Sequence, residues 1–326
     1  MRHAALAMLF ALAALPAFAQ PPVEQVRPVA PGVWMIASAF PPHRQPDGTT
    51  IIFRAPKGLV VMDTGRHPWR RRTILDFAEA QRRPIVAIVN SHWHLDHVSG
   101  DPALKAAYPK ARLYASGAID EALTGFLAKS AADAAPYLAP GKLPPETQED
   151  IRGDIATTAN GAALKPDIVI EGSSLRDLGG LSLQVNLARD AATAGDVWLY
   201  DPKTRVAAVG DLVTLPAPFL DTACPKGWAA ALDQVAATPF TTLIPGHGAP
   251  MSRAQFDLYR TAFNEVVACA ASSRDKAECA AAWTKAVTPL LGEDPALAKR
   301  AQGMTEYYVA DVLRAHGGKS AYCTTG

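Results

Sequence analysis

Short apolar runs alternate with helical patterns along most of the chain. The runs TTIIF and LVVM are rich in β-forming residues, and the turn residues Pro56 and Gly58 separate them, which predicts a β-hairpin. From His67 to about Gln81 the apolar residues recur at helical spacing, and PIVAIVN then predicts a buried strand. DPALKAAYP and ARLYAS repeat this order of helix and strand. The alternation predicts an α/β layer rather than an all-β protein.

The second half of the chain is again β-rich and then becomes helical. DIVI, LSLQVNL, DVWLY and RVAAVG predict short strands, and a helix from about Gly227 to Ala237 leads to the strand TTLI. Ser252, followed three residues later by Gln255, forms a capping box that opens a helix running to about Ala271. Further Ala-rich helical segments complete the chain.

The stretch from about Gly117 to Pro166 differs from its surroundings because it is rich in alanine and proline. This composition predicts a helical insertion that covers a site. Its apolar residues Tyr137, Leu138 and Leu143 favour a partly hydrophobic substrate, although helix surfaces packed on a core have the same pattern.

The first 19 residues run from a basic start through an apolar stretch, broken by Pro16, to an Ala-Phe-Ala ending. This pattern is typical of a secretory signal peptide, and it is too short and too interrupted for a stable membrane span. We therefore expect a periplasmic or secreted protein without a membrane span after removal of residues 1–19. No repeat or low-complexity linker follows, which predicts a main domain at 28–265 and a helical C-terminal extension at 266–326.

The charge balance argues against nucleic acid as a partner. Removal of the signal peptide takes away one of 32 basic residues, Arg2, so that 31 basic and 31 acidic residues remain. A nearly neutral chain lacks the positive surface that nucleic acid attracts. We expect a small-molecule substrate, and no feature of the sequence indicates an oligomeric state.

The cysteines, Cys224, Cys269, Cys279 and Cys323, all lie in the last third of the chain. An even number in an exported protein indicates up to two disulfides, and three pairings are possible. We favour Cys269 with Cys279, because SSRDK between them can turn a helical hairpin. Metal binding by these cysteines is less favoured, since no CxxC spacing occurs.

The sequence SHWHLDHVSG follows the predicted strand PIVAIVN and holds three of the eight histidines of the chain. Neutral imidazole and carboxylate groups suit zinc and related divalent ions. His92 and His94 are two apart on an extended segment, so both point to one side and can bind one ion. Asp96 and His97, after the chain turns, can face a second ion. A polar loop without a ligand is the alternative, but this spacing is rare by chance.

Two distant positions can complete the coordination. RVAAVGDLV places Asp211 directly after a strand and a glycine, where a carboxylate can bridge two cations. TTLIPGHGAP places His247 in the same setting, and Gly246 and Gly248 let the backbone approach closely. Each alone also suits an ordinary turn. Because they follow the histidine cluster in this order, we predict that both bind metal.

These segments together resemble the metallo-β-lactamase superfamily. The resemblance spans about Val33 to Arg260 and rests on VMDTG, NSHWHLDHVSG, ARDAATAGDVWLYDP, AAVGDLV and IPGHG. It implies an α/β fold, a four-layer αβ/βα sandwich with metals at one edge of its two sheets. The helical insertion and the helical C-terminal extension would be additions to that sandwich.

The resemblance also implies which residues bind the metals. His92 and His94 would serve a first metal, Asp96, His97 and His247 a second, and Asp211 would bridge both. The implied cofactor is zinc, as one or two ions, with iron or manganese as alternatives. Water held between the ions would be the nucleophile, because a bound divalent ion lowers the pKa of its water to about 7. Asp96 is also our candidate catalytic residue.

One position departs from the family pattern. The family has a histidine at the start of an HTxGD motif, which supplies the third imidazole of the first metal, whereas this chain has Ala192 followed by TAGD. An alanine cannot coordinate a metal, so the first site has lost a ligand. Asp190, on the same face of an extended segment, and His67, just past the DTG turn, are the candidate substitutes.

Three functions remain open at this point. The first is an exported metal-dependent hydrolase acting on an ester, thioester, lactone or related carbonyl substrate. The second is a catalytically degraded member that acts as a metal-binding protein. The third is a β-lactamase. We favour the first, since the carboxylate of Asp211 resembles the thioesterases, lactonases and other hydrolases of the superfamily more than its lactamases.

Overall fold

The computed structural model describes residues 24–323, and the predicted signal peptide lies outside the described residues. Its first sheet has seven strands, which follow one another in sequence order across the sheet. They are β1 (Val26–Ala30), β2 (Val33–Ile36), β3 (Thr50–Ala55), β4 (Gly58–Met62), β5 (Ile85–Val89), β6 (Arg112–Ala115) and β7 (Ile168–Val169). β1 to β4 pair antiparallel, and β4 to β7 pair parallel. The predicted hairpin is confirmed as β3 and β4.

The second sheet has five strands in the order β12-β11-β10-β9-β8. They are β8 (Ser174–Leu178), β9 (Leu181–Arg189), β10 (Gly195–Asp201), β11 (Val206–Ala208) and β12 (Thr242–Ile244). β8 to β11 pair antiparallel, whereas β11 and β12 pair parallel across the intervening helix. The parallel pair brings the carboxyl ends of β11 and β12 to the same edge of the sheet.

Helices cover both sheets and close the chain. They are α1 (Pro68–Ala80), α2 (Leu95–Val98), α3 (Asp101–Ala107), α4 (Ile119–Thr124), α5 (Phe126–Ala134), α6 (Pro145–Ala159), α7 (Pro225–Ala236), α8 (Arg253–Ala270), α9 (Lys276–Val287) and α10 (Pro295–Tyr307), followed by a π-helical segment, Tyr308–Arg314. The helical insertion is confirmed as α4 to α6. The capping box is confirmed too, since Ser252 accepts a hydrogen bond from the Gln255 backbone at the start of α8.

Alternation along the strands explains the layers. In β3, Ile51 and Phe53 pack between the two sheets, whereas Ile52 faces α1 and α3 on the outer side of the first sheet. In β10, Val197 packs between the sheets and Trp198 faces α7 and α8. Successive side chains of a strand point to opposite faces of the sheet, and here both faces of each sheet are buried. The result is the expected four-layer αβ/βα sandwich.

The C-terminal helices share a core with the second sheet. Trp283 of α9 and Tyr308 pack in the same buried cluster as Trp228 of α7 and Phe263 of α8. The indole nitrogen of Trp283 also donates a hydrogen bond to the carbonyl of Pro216, 2.8 Å away. The boundary predicted between residues 265 and 266 falls within α8. The division of the chain there stays a prediction.

Both pairs of cysteines lie at disulfide distance. Cys269 and Cys279, the pair favoured from the sequence, have Cα atoms 5.7 Å apart and connect α8 with α9. Cys224 and Cys323 have Cα atoms 5.2 Å apart. Between residues 24 and 323, none of the helices has the length and apolar character needed to span a membrane.

Candidate metal centre

The six predicted metal ligands converge where strands of both sheets end at one edge of the sandwich. His92 and His94 follow β5, Asp96 and His97 lie on α2, Asp211 lies in a short turn after β11, and His247 follows β12. All six side chains are buried. The structure thus brings together residues that are up to 155 positions apart in the printed sequence.

The first donor group consists of His92, His94 and Asp211. Nε2 of His92 lies 2.8 Å from Nδ1 of His94 and 3.6 Å from Oδ2 of Asp211. The three donor atoms lie within 4.8 Å of one another. This spacing allows one ion to contact all of them.

The second donor group consists of Asp96, His97 and His247. Nε2 of His247 lies 3.0 Å from Oδ2 of Asp96 and 3.3 Å from Nε2 of His97. Oδ1 of Asp211 lies 3.2 Å from Nε2 of His97 and 3.7 Å from Nε2 of His247. Asp211 therefore faces both groups, in the position that a bridging ligand requires.

Asp63 organises two of the histidines from behind. Its carboxylate accepts hydrogen bonds from the backbone N–H and the hydroxyl of Ser91, both at 2.7 Å, and contacts Nδ1 of His97 at 2.8 Å. The Ser91 hydroxyl in turn lies 2.8 Å from Nδ1 of His92. Each of the two rings makes this contact through its Nδ1 atom, so its Nε2 atom points toward the other donor atoms. Such contacts orient metal-binding histidines and fix their tautomers. The sequence showed the DTG motif that contains Asp63 but not this role.

Two glycines make room for the donors. A Cβ atom at Gly246 would collide with Oδ1 of Asp211, and one at Gly48 would collide with the ring of His97. The backbone of Gly246 also donates a hydrogen bond to the carbonyl of Gly210, 2.7 Å away, which joins the two loops after β11 and β12. Side chains at these positions would push the donors apart.

Burial and charge set the protonation of the donors. Burial lowers the pKa of His94 to about 4 and that of His92 well below its usual range, so both rings are neutral. Burial acts against the charge of the carboxylates, but His97 and its neighbours outweigh it and lower the pKa of Asp96 and Asp211. Burial also opposes a charge on His97, yet Asp211, Asp96 and Asp63 hold its pKa well above the usual value. Neutral imidazoles and ionised carboxylates are the ligand forms of divalent metals, so His97 has to release a proton when a metal binds.

A further observation indicates that the donor set suits a divalent cation. Oδ1 of Asp211 is buried and has no hydrogen-bond partner, although Nε2 of His97 is close. A buried carboxylate oxygen without a partner is costly, and a cation is one way to satisfy it. Nitrogen and oxygen donors in this combination suit zinc and, with less preference, iron or manganese.

Neither candidate substitute for the missing imidazole joins the first donor group. Asp190 lies in a turn at positive φ, half-buried, and outside both donor groups. His67 is held elsewhere, since its Nδ1 contacts Asp47 and its Nε2 lies 3.3 Å from Oδ2 of Asp150. Its ring stacks on Trp69 with 4.0 Å between the ring centroids. Substitution by either residue, left open by the sequence, finds no support in this geometry.

Thr222 contacts both His94 and Ala192, which the sequence did not reveal. Its hydroxyl donates a hydrogen bond to the carbonyl of Ala192, 2.9 Å away, and lies 3.1 Å from Nε2 of His94. Ala192 itself is buried, with 1% of its surface exposed. Thr222 is 128 positions from His94 in the chain and belongs to no motif, so no sequence signal pointed to it.

Four of the donors, His94, Asp96, Asp211 and His247, line a cavity of about 240 Å³. The apolar residues of its wall include Phe40, Phe126, Leu127, Leu215 and Phe219. Phe126 and Leu127 belong to α5, so the insertion covers the site as predicted.

One cation, Arg66, lines the same cavity. Its guanidinium pairs with Asp154 of α6 and lies 3.9 Å from Oδ1 of Asp96. The ion pair joins the insertion to the turn after β4. Arg66 and Asp154 were not recognised from the sequence, because neither lies in the histidine-containing motifs.

The family model of the metallo-beta-lactamase superfamily matches residues 44–247, more than half of the chain and all six donor residues. The chain belongs to this superfamily. Its members are typically hydrolytic enzymes that bind metal ions. The resemblance seen in the sequence is therefore confirmed at the level of family and fold.

Two curated relatives are sulfatases. The linear primary-alkylsulfatase of Pseudomonas sp. (strain ATCC 19151) is 27% identical over 222 residues, which are 62% of this chain and 41% of that enzyme. The (R)-specific secondary-alkylsulfatase of Pseudomonas sp. is 29% identical over 182 residues, which are 51% of this chain and 27% of that enzyme. The chain thus spans less than half the length of each of these relatives.

A solved structure shows the same fold. The stereoselective inverting sec-alkylsulfatase Pisa1 from Pseudomonas sp. has a TM-score of 0.59 and 21% identity, over 88% of this chain and 50% of that chain. At this identity the likeness shows the fold alone.

Proposed function

We propose that this chain is an exported, metal-dependent hydrolase that cleaves an ester, thioester, lactone or related carbonyl substrate carrying an apolar group. The observation that carries the proposal is the convergence of six buried donor side chains, in two groups that share Asp211, beside a cavity with several apolar side chains in its wall. The family supports hydrolysis in general, and the substrate class is our proposal.

The donor groups would hold the metal as follows. His92, His94 and Asp211 would hold one ion, and Asp96, His97 and His247, with Asp211 shared, would hold the other. A divalent ion supplies, when bound, acidification of water at neutral pH and polarisation of the bond under attack. Zinc is our first choice, since imidazole and carboxylate are its usual nitrogen and oxygen ligands.

The missing third imidazole is compatible with catalysis. Catalytic zinc sites commonly have three protein ligands and keep one position open for water or substrate. His92, His94 and Asp211 form such a set of two imidazoles and one carboxylate. This donor set supports a working enzyme better than a degraded metal-binding protein.

We assign Asp96 a catalytic role in addition to metal binding. Its carboxylate lies between His247 and the guanidinium of Arg66. Burial raises the pKa of Asp96, but the charge of His97 and the contact with His247 outweigh it and hold the pKa well below its usual range. An ionised carboxylate at the cavity wall can orient the attacking water by accepting a hydrogen bond from it.

The cavity wall supports a substrate with an apolar part. The rings of Phe126 and Phe219 lie 6.3 and 4.9 Å from the ring of His94, measured between centroids. An acyl or alkyl group packed there would place its polar end toward the donors and keep bulk water away from them. Burying apolar surface contributes about 25 cal/mol per Å².

A second candidate substrate is an alkyl sulfate ester. Both curated relatives are named alkylsulfatases, and Arg66 supplies a guanidinium in the cavity that can pair with an anionic group. The pairing of Arg66 with Asp154 offsets part of this charge, which is why we place the neutral carbonyl substrate first.

Export is part of the proposal. Two cysteine pairs at disulfide distance fit an oxidising compartment, where such bonds persist. Cell fractionation and mass spectrometry of the mature N-terminus test it directly. Recovery of full-length chain in the cytoplasm would contradict the signal peptide at 1–19.

The experiment that tests the function combines metal analysis with a substrate panel. The protein, purified from the periplasm, is analysed for zinc, iron and manganese and then assayed on aryl esters, thioesters, lactones, alkyl sulfates and a β-lactam. We expect stoichiometric metal and hydrolysis of an ester-type substrate, lost on chelation and restored by metal. A folded protein without stoichiometric metal would overturn the proposal. Stoichiometric metal without hydrolysis would favour the binding protein, and hydrolysis of the β-lactam alone would favour the β-lactamase.

A further inference from the structure

The contact between Thr222 and His94 fixes the direction of a short hydrogen-bond chain. A backbone carbonyl only accepts hydrogen bonds, so the proton of the Thr222 hydroxyl points to the carbonyl of Ala192, 2.9 Å away. The remaining lone pairs of that hydroxyl accept. Nε2 of His94, 3.1 Å from the same oxygen, must therefore carry a proton to make the second bond.

A proton on Nε2 of His94 decides which atom is left for a metal. A histidine that binds a metal is neutral, so its ring carries one proton. With that proton on Nε2, Nδ1 has a free lone pair, and Nδ1 is the atom that faces His92 in the first donor group.

His92 has the same arrangement by a different route. The hydroxyl of Ser91 donates to Asp63, so its oxygen accepts from Nδ1 of His92 and leaves Nε2 with a lone pair. Two lone pairs then face each other across 2.8 Å, between Nε2 of His92 and Nδ1 of His94. Such an arrangement is repulsive unless a cation lies against both.

We infer that Thr222 is a positioning residue of the first donor group, which fixes the proton of His94 on Nε2 and presents Nδ1 to the ion. The inference rests on the proposed function in that the first group binds a metal. It also gives Ala192 a role, although its side chain cannot bind a metal. The backbone carbonyl of Ala192 accepts the hydrogen bond of the Thr222 hydroxyl, and that hydroxyl in turn orients His94.

The substitution Thr222→Val tests this role, because valine has nearly the same shape and lacks the hydroxyl. Thr222→Ser keeps the hydroxyl and is the conservative rescue. Thr238→Val is the matched control, since the hydroxyl of Thr238 also bonds a backbone carbonyl, that of Gln234, at 3.3 Å and away from the donors.

The first measurement is metal affinity, by competition of zinc with a chromophoric chelator. We expect Thr222→Val to weaken one of the two zinc ions about 10- to 100-fold, as removal of an orienting partner typically does. The second ion should be unaffected, and Thr222→Ser and Thr238→Val should bind like wild type. Wild-type binding of both ions by folded Thr222→Val would overturn the inference.

The second measurement does not depend on activity. In the zinc-loaded protein, a ¹H–¹⁵N spectrum of the imidazoles should show the Nε2 proton of His94 in slow exchange, as a hydrogen bond to Thr222 requires. The signal should vanish in Thr222→Val and persist in Thr222→Ser. Its absence from the wild-type spectrum would also overturn the inference. If wild type shows this signal but hydrolyses no substrate of the panel, the proposed function fails while the Thr222–His94 bond stands.

Discussion

The two donor groups differ in the groups that support them. In the first, His92 is held by the hydroxyl of Ser91 and His94 by the hydroxyl of Thr222. In the second, His97 is held directly by the carboxylate of Asp63, and Asp96 lies near Arg66.

Neutral hydroxyls support the two imidazoles of the first group, whereas the carboxylates of Asp63 and Asp96 both lie at the second. A cation gains more from nearby carboxylates in a low-dielectric interior. We therefore expect the second group to bind its metal more tightly. The missing imidazole thus falls on the group that we expect to bind its metal less tightly.

Asp211→Asn should have the largest effect, because it removes the one charge that both groups share. We expect the metal content to fall toward zero and hydrolysis to fall more than about 100-fold, beyond the usual cost of losing only an orienting partner. Metal analysis and the substrate assay check this.

Asp196→Asn is the matched control for that change. Asp196 is buried outside both groups, and burial raises its pKa well above the usual value. This variant should keep its metal. Equal metal loss in both variants would show that Asp211 acts through folding rather than as a shared ligand.

His247→Ala and His92→Ala separate the two groups. His247→Ala should remove the tightly held ion and the stability that it supplies, about 3 kcal/mol when metal is present at 100 times its dissociation constant. His92→Ala should remove only the weaker ion. Metal stoichiometry and thermal unfolding of the two variants side by side make the comparison. Retention of full metal content in His247→Ala would refute the assignment of the second group.

Ala192→His tests whether the first group is weak because it lacks an imidazole. From the family pattern we expect the substitution to complete the group and to raise the metal content toward two ions per chain. Ala194→His, two positions later at an exposed site, is the control and should change nothing. Since Ala192 is buried, thermal unfolding must confirm that the variant folds. Unchanged stoichiometry in a folded variant would contradict the alignment of Ala192 with the missing ligand.

His67→Gln should have the smallest effect on the metal content, because the buried ring of His67 lies between the carboxylates of Asp47 and Asp150, outside both donor groups. Its role is to take up a proton. Burial alone would lower its pKa, but Asp150 and Asp47 outweigh burial and raise it. The stabilisation by protonated His67 is thus fully present below about pH 6.5, the ordinary value, and is lost as the pH rises through the raised pKa.

Urea unfolding of wild type and His67→Gln across this pH range measures the contribution. We expect a difference of about 1 to 3 kcal/mol at the acidic end, which shrinks at higher pH, with an unchanged metal content. The exposed His316→Gln is the control. A stability difference that grows with pH would contradict the sign, and metal loss would place His67 in the metal centre after all.

The sequence was sufficient for the elements with strong periodicity and for the donors carried by motifs. The spacing of apolar residues alone predicts helix α1 and strand β5. A helix buried on one face has apolar residues at helical intervals, and a buried strand is a continuous apolar run. β8 was not predicted, because it is short and mostly exposed, so its pattern is weak.

The supporting contacts were beyond the sequence for a different reason. Thr222 reaches His94 across 128 positions, and a threonine in a loop has no motif to mark it. His67 looked available as a ligand because it follows the DTG turn, but Asp150, supplied by the insertion, engages it. Which side chains meet across the site depends on tertiary packing, and single positions do not encode it.

A bond between Cys224 and Cys323, which lie at disulfide distance, would have a consequence for the order in which the site is assembled. Cys224 lies two residues after Thr222, and its partner Cys323 is 99 positions further along the chain. During synthesis, the histidines after β5 emerge long before that partner exists. The covalent anchor of the loop that carries Thr222 could form only once residue 323 has been made and has reached an oxidant. This anchor would therefore follow the synthesis of the helices that lie between the two cysteines.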